Sequence, residues 1–281
     1  MPDRVVAVLG RGVVPADTPV LRADDVGVLR GDGIFESVHI RAGRPWLFDP
    51  HLARMARSAA RLGLALPPRE ALVELAGQAL AGWDPGVEGA LRLICTRGPE
   101  ASGTPTVFAV LTPFGSGQLR GRREGVAVLT ASLGYPVAAR PPAPWLLGGA
   151  KTLSYAVNMA SLRWAEGHGA DDVLWTSTDG YALEAPTATL VWLDRGTLWT
   201  VPPEQTGILA GTTARWLLDH AGDLGFAAGE TLVRPAELAT AQGVWLVSSI
   251  RGPAEVRSLD GAVRKPAAET AALCDLLGFA R

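Results

Sequence analysis

The apolar runs of this 281-residue chain are short, and glycine ends many of them. Val5-Val6-Ala7-Val8-Leu9 stops at Gly10 and Gly12. Gly31-Asp32-Gly33 turns into Ile34 to Ile40, which alternates apolar with polar up to Ala42-Gly43. Such stretches read as strands closed by turns. Gly89 to Thr96 and Thr106 to Leu111 continue the pattern, joined by a Gly/Pro/Ser turn over 98–105. Helical stretches are interspersed. Asp49 and Pro50 suit the N-cap and first turn of a helix with Leu52, Met55, Ala59 and Leu62 on one face and Gly63 as its stop. A second helix is predicted over 68–81. Strands and helices do not alternate in βαβ order, so the pattern predicts an α+β fold.

Residues 115–125 are polar and carry Gly115, Gly117 and Gly121, which predicts a linker between an N-terminal domain, 1–114, and a C-terminal domain, 126–281. In the second domain strands are predicted over 126–130, 172–177, 181–183, 189–193, 198–200 and 243–249, and helices over 154–167 and 212–221. Apolar residues make up 48% and charged residues 19%, enough for a packed core and too apolar for disorder. The net charge of −2 gives no electrostatic basis for binding nucleic acid or an anionic membrane. Cys95 and Cys274 sit in apolar contexts and read as buried thiols. His39, His51, His168 and His220 show no ligand spacing, so no metal is expected. The start, Met1-Pro2-Asp3-Arg4, lacks a long apolar stretch, and no run reaches membrane-spanning length. A soluble, cytoplasmic protein is expected.

Gly148 to Tyr155 holds one lysine, Lys151, and the nearest other charges are Arg140 and Arg163. The chain has only one other lysine, Lys265; its remaining cationic side chains are arginines. Lys151 is either a surface lysine beside a loop or a buried amine that loses its proton and attacks carbonyls. Glu184 ends an apolar stretch, as a solvated strand end or as partner to a buried cation such as a protonated pyridine nitrogen. Leu209-Ala210-Gly211-Thr212-Thr213 precedes an apolar helix, as an ordinary threonine cap or as an anion site. Ser248-Ser249 is a plain turn or a second set of donors. Arg54 lies on a helix face otherwise turned to the core, either snorkelling or reaching an anion.

The order of these elements resembles the class IV pyridoxal-phosphate enzymes, the group of branched-chain and D-amino acid aminotransferases and aminodeoxychorismate lyase. The resemblance covers nearly the whole chain and implies the two-domain fold type IV. Gly31-Asp32-Gly33-Ile34-Phe35-Glu36 is similar to the family's early glycine turn and strand, and His51-Leu52-Ala53-Arg54 to its HxxR element. It implies that the cofactor is pyridoxal 5'-phosphate. Arg54, Thr212, Thr213 and Ser249 would contact its phosphate. Lys151 would be the Schiff-base lysine, with Tyr155 at the phenolic oxygen, Glu184 at the ring nitrogen and Leu209 on the ring face.

Within the group, Gly89 to Gly98 is similar to the lyase strand that ends in a Ser/Thr-Arg-Gly turn, and Ser37 falls where the lyase carries a threonine. Trp245 to Pro253 is similar to the lyase's C-terminal strand and loop. The resemblance thus implies conversion of 4-amino-4-deoxychorismate to 4-aminobenzoate and pyruvate, a step towards folate. Lys151 would remove the ring proton next to nitrogen, Ser37 would protonate the departing methylene, and Arg92 and Arg251 would orient the carboxylates. The alternatives are an aminotransferase acting on branched-chain or D-amino acids and a non-catalytic binding relative. The Arg and His of D-amino acid transaminases after the Arg-Gly turn are absent from Pro99 to Gly103. The family also implies a homodimer in which the loop at 99–104 reaches the neighbouring site.

Overall fold

The structure is a computed structural model that describes residues 4–279. The chain divides into two units, Met1–Gly115 with Ala150–Tyr155, and Ser116–Gly149 with Ala156–Arg281.

The first unit contains β1 (Val5–Val8), β2 (Gly12–Val14), α1 (Val26–Arg30), β3 (Gly33–Arg41), β4 (Arg44–Pro45), α2 (Phe48–Leu62), α3 (Arg69–Ala81), β5 (Gly89–Thr96) and β6 (Thr106–Pro113). Its strands form an antiparallel sheet in the order β2-β1-β6-β5-β3-β4. Successive side chains of a strand point to opposite faces. Ile34, Val38 and Ile40 of β3, Leu91 and Leu93 of β5, and Ala109 and Leu111 of β6 form a core with Leu52 and Met55 of α2 and Leu72 and Leu75 of α3. Phe35 and Ser37 of β3, Arg92 of β5 and Thr112 of β6 belong to the opposite set and are only half-buried. The face read for α2 is the buried one, and Gly63 caps it in the left-handed conformation. Asp49 is not its N-cap: the helix begins at Phe48 after Leu47, and Asp49 lies in the first turn, where its charge still complements the helix dipole.

The second unit contains α4 (Ser116–Glu124), β7 (Val126–Ser132), α5 (Ala156–Gly167), β8 (Asp172–Thr176), β9 (Thr189–Asp194), β10 (Thr197–Thr200), α6 (Pro203–Thr206), α7 (Thr212–Asp219), β11 (Ala227–Glu230), α8 (Pro235–Leu238), β12 (Gly243–Ser248), β13 (Gly252–Leu259), β14 (Ala262–Val263) and α9 (Thr270–Leu277). The sheet runs β11-β10-β9-β12-β13-β7-β8, with β14 on β13. Parallel pairs (β10 with β11, β13 with β7, β7 with β8) mix with antiparallel ones. Its core includes Val126, Leu174, Leu183, Leu190, Trp192, Leu246 and Val256. Two curled sheets with flanking helices make an α+β, two-domain architecture, as the sequence leads one to expect.

Three segments assigned from the sequence differ in the structure. The segment read as a linker contains helix α4, which packs on β13. A Cβ on Gly121 would lie 3.0 Å from Arg251 Cδ, so this glycine serves close approach, not flexibility. Residues 181–183 form no strand; Ala182 makes one isolated bridge to Thr176. Residues 150–155, assigned by sequence to the C-terminal domain, cluster with the first unit. Their backbone pairs with the start of β3: Phe35 N–H donates to Lys151 C=O (3.1 Å) and Leu153 N–H to Gly33 C=O (2.8 Å).

Cys95 and Cys274 are buried. Burial, aided by Asp25, pushes the Cys95 thiol up to about 12. Among the described residues no helix is long and apolar enough to cross a membrane, and no group of three or more His, Cys, Asp or Glu side chains could hold a metal ion.

Leu91 is fully buried in the middle of β5, whereas Val263 is 87% exposed. Leu91→Ala is expected to destabilise the protein by about 2–5 kcal/mol through lost transfer energy and an unfilled cavity. Val263→Ala should stay within about 0.5 kcal/mol of the parent. Urea denaturation of the two variants checks this pair.

Candidate active site

The first unit brings a lysine, two aromatic rings and a hydroxyl together. Lys151 is half-buried, and its backbone N–H donates to Ser58 Oγ on α2 at 3.0 Å. Its Nζ lies 4.3 Å from the Phe35 ring centroid and 5.3 Å from that of Tyr155. Nζ is also 3.4 Å from the Tyr155 hydroxyl. The two rings meet edge to face at 5.2 Å. The π faces favour the ammonium, and the phenol gives it a polar partner. Ser37 lies two residues along β3 from Phe35, on the same strand face, and pairs directly with Arg92 across β5. Arg92 Nη1 donates to Thr112 Oγ1 at 3.4 Å.

Behind this face lies a buried charge cluster. Glu36 and His51 are 0% exposed and Arg54 is 5% exposed. Arg54 donates Nε to Glu36 Oε1 (2.8 Å) and Nη2 to Oε2 (2.7 Å), a bidentate fork, and His51 Nδ1 is 2.7 Å from Oε2. Burial alone pushes the Glu36 carboxyl up, but the Arg54 guanidinium and the His51 bond together hold it well below the usual carboxylate range. Burial pushes His51 down, against the pull of Glu36. Arg54 is therefore oriented by Glu36.

In the second unit, Glu184 Oε2 accepts the Leu209 N–H at 3.1 Å, and Oε1 lies 3.9 Å from Arg140 Nη1. Leu209 itself is half-buried. Thr212 and Thr213 open α7 after Gly211, which offers no capping side chain. Their hydroxyls converge on Ser249 Oγ, at 3.3 Å and 2.9 Å. Three hydroxyls at a helix N-terminus make a donor set suited to a phosphate. Asn158 of α5 donates to Pro186 C=O at 2.7 Å, which braces the turn after Glu184.

The predicted residues thus fall into two groups. Lys151, Tyr155, Ser37, Arg92 and Arg54 belong to the first unit, and Glu184, Leu209, Thr212, Thr213 and Ser249 to the second. Arg251, expected as a substrate contact, also belongs to the second unit, where it gives Nη2 to buried Asp172 at 2.8 Å. Phe35, Ser58, Arg140 and Asn158 are not evident from the sequence, nor is Glu36 as the anchor of Arg54. A signal for Glu36 was present: it stands between Ile34 and Val38 on the alternation that faces the core.

The family model for class IV amino-transferases matches residues 33–259. A protein of Mycobacterium tuberculosis (strain ATCC 25618 / H37Rv) named bifunctional aminodeoxychorismate lyase / D-amino acid transaminase is 40% identical over 266 residues, 92% of each chain. A hypothetical aminotransferase from Mycobacterium tuberculosis, solved in its PLP-bound form, superposes with a TM-score of 0.93 at 38% identity, over 98% of this chain and 97% of that one. The 4-amino-4-deoxychorismate lyase of Pseudomonas aeruginosa gives a TM-score of 0.76 at 28% identity, over 97% of both chains.

The low Glu36 proton affinity has a consequence in acid. Unfolded, this carboxyl takes up a proton near pH ~4.3, whereas in the folded protein it stays ionised to lower pH. The unfolded state therefore binds more protons as the pH falls through that value, and stability drops. His51, held below ~6.5, acts in the same direction at higher pH. Glu36→Gln should lower stability by about 3 kcal/mol at pH 7, since it leaves Arg54 buried beside a neutral amide. Its urea midpoint should also fall less steeply between pH 7 and 4 than that of the parent.

Proposed function

The chain belongs to the class IV aminotransferases, which depend on pyridoxal phosphate, and on that premise we propose that it is a lyase converting 4-amino-4-deoxychorismate to 4-aminobenzoate and pyruvate. The observation that carries this reading is the direct pairing of Ser37 with Arg92, next to the ring that bears Lys151 Nζ. A hydroxyl to give a proton and a guanidinium to hold a carboxylate thus lie on one sheet face with the amine.

The residues present fit pyridoxal phosphate part by part. An amine beside a phenol suits its aldehyde and phenolic oxygen; a carboxylate held by a backbone N–H suits its ring nitrogen; hydroxyls at a helix N-terminus suit its phosphate. When bound, the cofactor supplies an electron sink for the pair left by the departing proton. Lys151, as the neutral amine, takes the proton from the substrate ring carbon next to nitrogen. Tyr155 hydrogen-bonds the amine and fixes its direction. Arg92 holds a substrate carboxylate by charge-assisted hydrogen bonds. The bond to the enolpyruvyl oxygen breaks, the ring becomes aromatic, and Ser37 delivers a proton to the methylene carbon, giving pyruvate. Lys151 then returns its proton to the Ser37 side through solvent. No oxidant is consumed, so no keto acid is required.

A D-amino acid transaminase activity is the second reading, because the name of the M. tuberculosis relative covers both reactions. We further assign a homodimer working in the cytoplasm. The exposed Val157, Met159 and Trp164 of α5 support the dimer.

Release of 4-aminobenzoate and pyruvate, measured beside amino transfer from D-alanine to 2-oxoglutarate, tests the proposal. Lys151→Ala should lower either rate by at least about 10²–10⁴-fold. Ser37→Ala should slow the lyase reaction by about 10²-fold and leave transfer nearly intact. Equal loss of both, or transfer without any 4-aminobenzoate, contradicts the lyase assignment.

A further inference from the structure

Beside Glu184 stands an arginine for which the chain has cleared space. Arg140 Nη1 lies 3.9 Å from Glu184 Oε1, and the two side chains are 19% and 12% exposed. The other carboxylate oxygen is already bound by the Leu209 N–H. Arg140 lies in a proline-rich segment, 136–144, between β7 and α5, and its C=O accepts the Ala143 N–H in a turn at 3.1 Å. Its stem runs against Gly207: a Cβ there would lie 2.6 Å from Arg140 Cβ, and one on Gly148 would lie 3.2 Å from it. Gly149 N–H donates to Gly207 C=O at 2.9 Å and holds these two glycine segments together. Any larger side chain at Gly207 would displace Arg140 from the acid.

Burial penalises the charged form of a carboxyl unless a partner offsets it. A neutral acid cannot pair with a protonated pyridine. A guanidinium at this distance favours the carboxylate and does not itself give up its proton. Tyr135 also faces the pair, its ring centroid 5.8 Å from the Arg140 guanidinium carbon. Burial raises the Tyr135 hydroxyl above its ordinary value, so it remains a neutral phenol.

We propose that Arg140 is a positioning residue that keeps Glu184 ionised and fixed in direction before the cofactor arrives, so that capture of a protonated ring nitrogen needs no prior loss of a proton from the acid. The inference rests on the reading of Glu184 given above and adds a second residue to its function.

The test is a pH titration of carbon-13-labelled glutamate carboxyls in the full chain without cofactor, with the Glu184 resonance assigned from Glu184→Gln. In Arg140→Gln the Glu184 midpoint should rise by about one pH unit, a tenfold gain in proton affinity. Arg140→Lys keeps the charge on a stem without the guanidinium fork and should give an intermediate midpoint. An unmoved midpoint in either folded variant overturns the proposal. The visible absorbance of bound pyridoxal phosphate separates the two ideas. If Glu184→Gln binds the cofactor with the parent's spectrum and dissociation constant, the reading of Glu184 fails, whatever the Arg140 variants do to the midpoint. If Glu184→Gln alters both while the Arg140 variants leave the midpoint in place, only the role of Arg140 fails.

Discussion

The position of Lys151 is set by its backbone. Its carbonyl accepts the Phe35 N–H, its own N–H donates to Ser58 Oγ, and Leu153 two residues on donates to Gly33 C=O. A residue bound on both sides leaves only its side-chain torsions free, and here two rings and a phenol surround them. The same pairing explains the glycine turn before β3: a Cβ on Gly33 would meet Leu153 Cδ1 at 2.6 Å and Cys95 O at 2.8 Å. One short stretch of extra strand thus links the most distinctive early motif of the sequence to the lysine more than a hundred residues later.

Charge burial is the second organising constraint. The first unit encloses Glu36, Arg54 and His51, a costly arrangement that is tolerated because every oxygen of the acid is bound. Apolar side chains would fill that space at less cost to stability, so the cluster is understandable as orientation of the Arg54 guanidinium. The second unit shows the same pattern more openly, with Glu184 held between a backbone N–H and Arg140, and three hydroxyls gathered at the start of α7. In both units an ionic or polar group meant for a ligand is first fixed by protein groups.

Much of this was legible in the sequence, because strand alternation and glycine stops are local signals. β3, β5, α2 and α3 fall within a residue or two of their expected limits. Lys151, Glu184 and the threonine pair stood out because each is a polar residue in an apolar setting. The misses have common causes. Gly117 and Gly121 were read as flexibility, when Gly121 serves close packing. The lysine segment was assigned to the domain that follows it, since nothing in its composition reveals a pairing with a strand so far upstream. The ion pair of Arg251 with buried Asp172, 79 residues away in sequence, likewise left no local signal. Phe35, Ser58 and Arg140 carry no local signal; their relevance arises only from distances.

Every proposed catalytic role depends on one amine. Reduction of the protein with borohydride in the presence of pyridoxal phosphate converts a lysine Schiff base into a stable secondary amine, and the chain offers just two lysines, Lys151 and Lys265. Peptide mass mapping should find the phosphopyridoxyl group on the peptide containing Lys151 and none on that containing Lys265. Label on Lys265 alone, or no label on either, contradicts the assignment on which every catalytic role above depends.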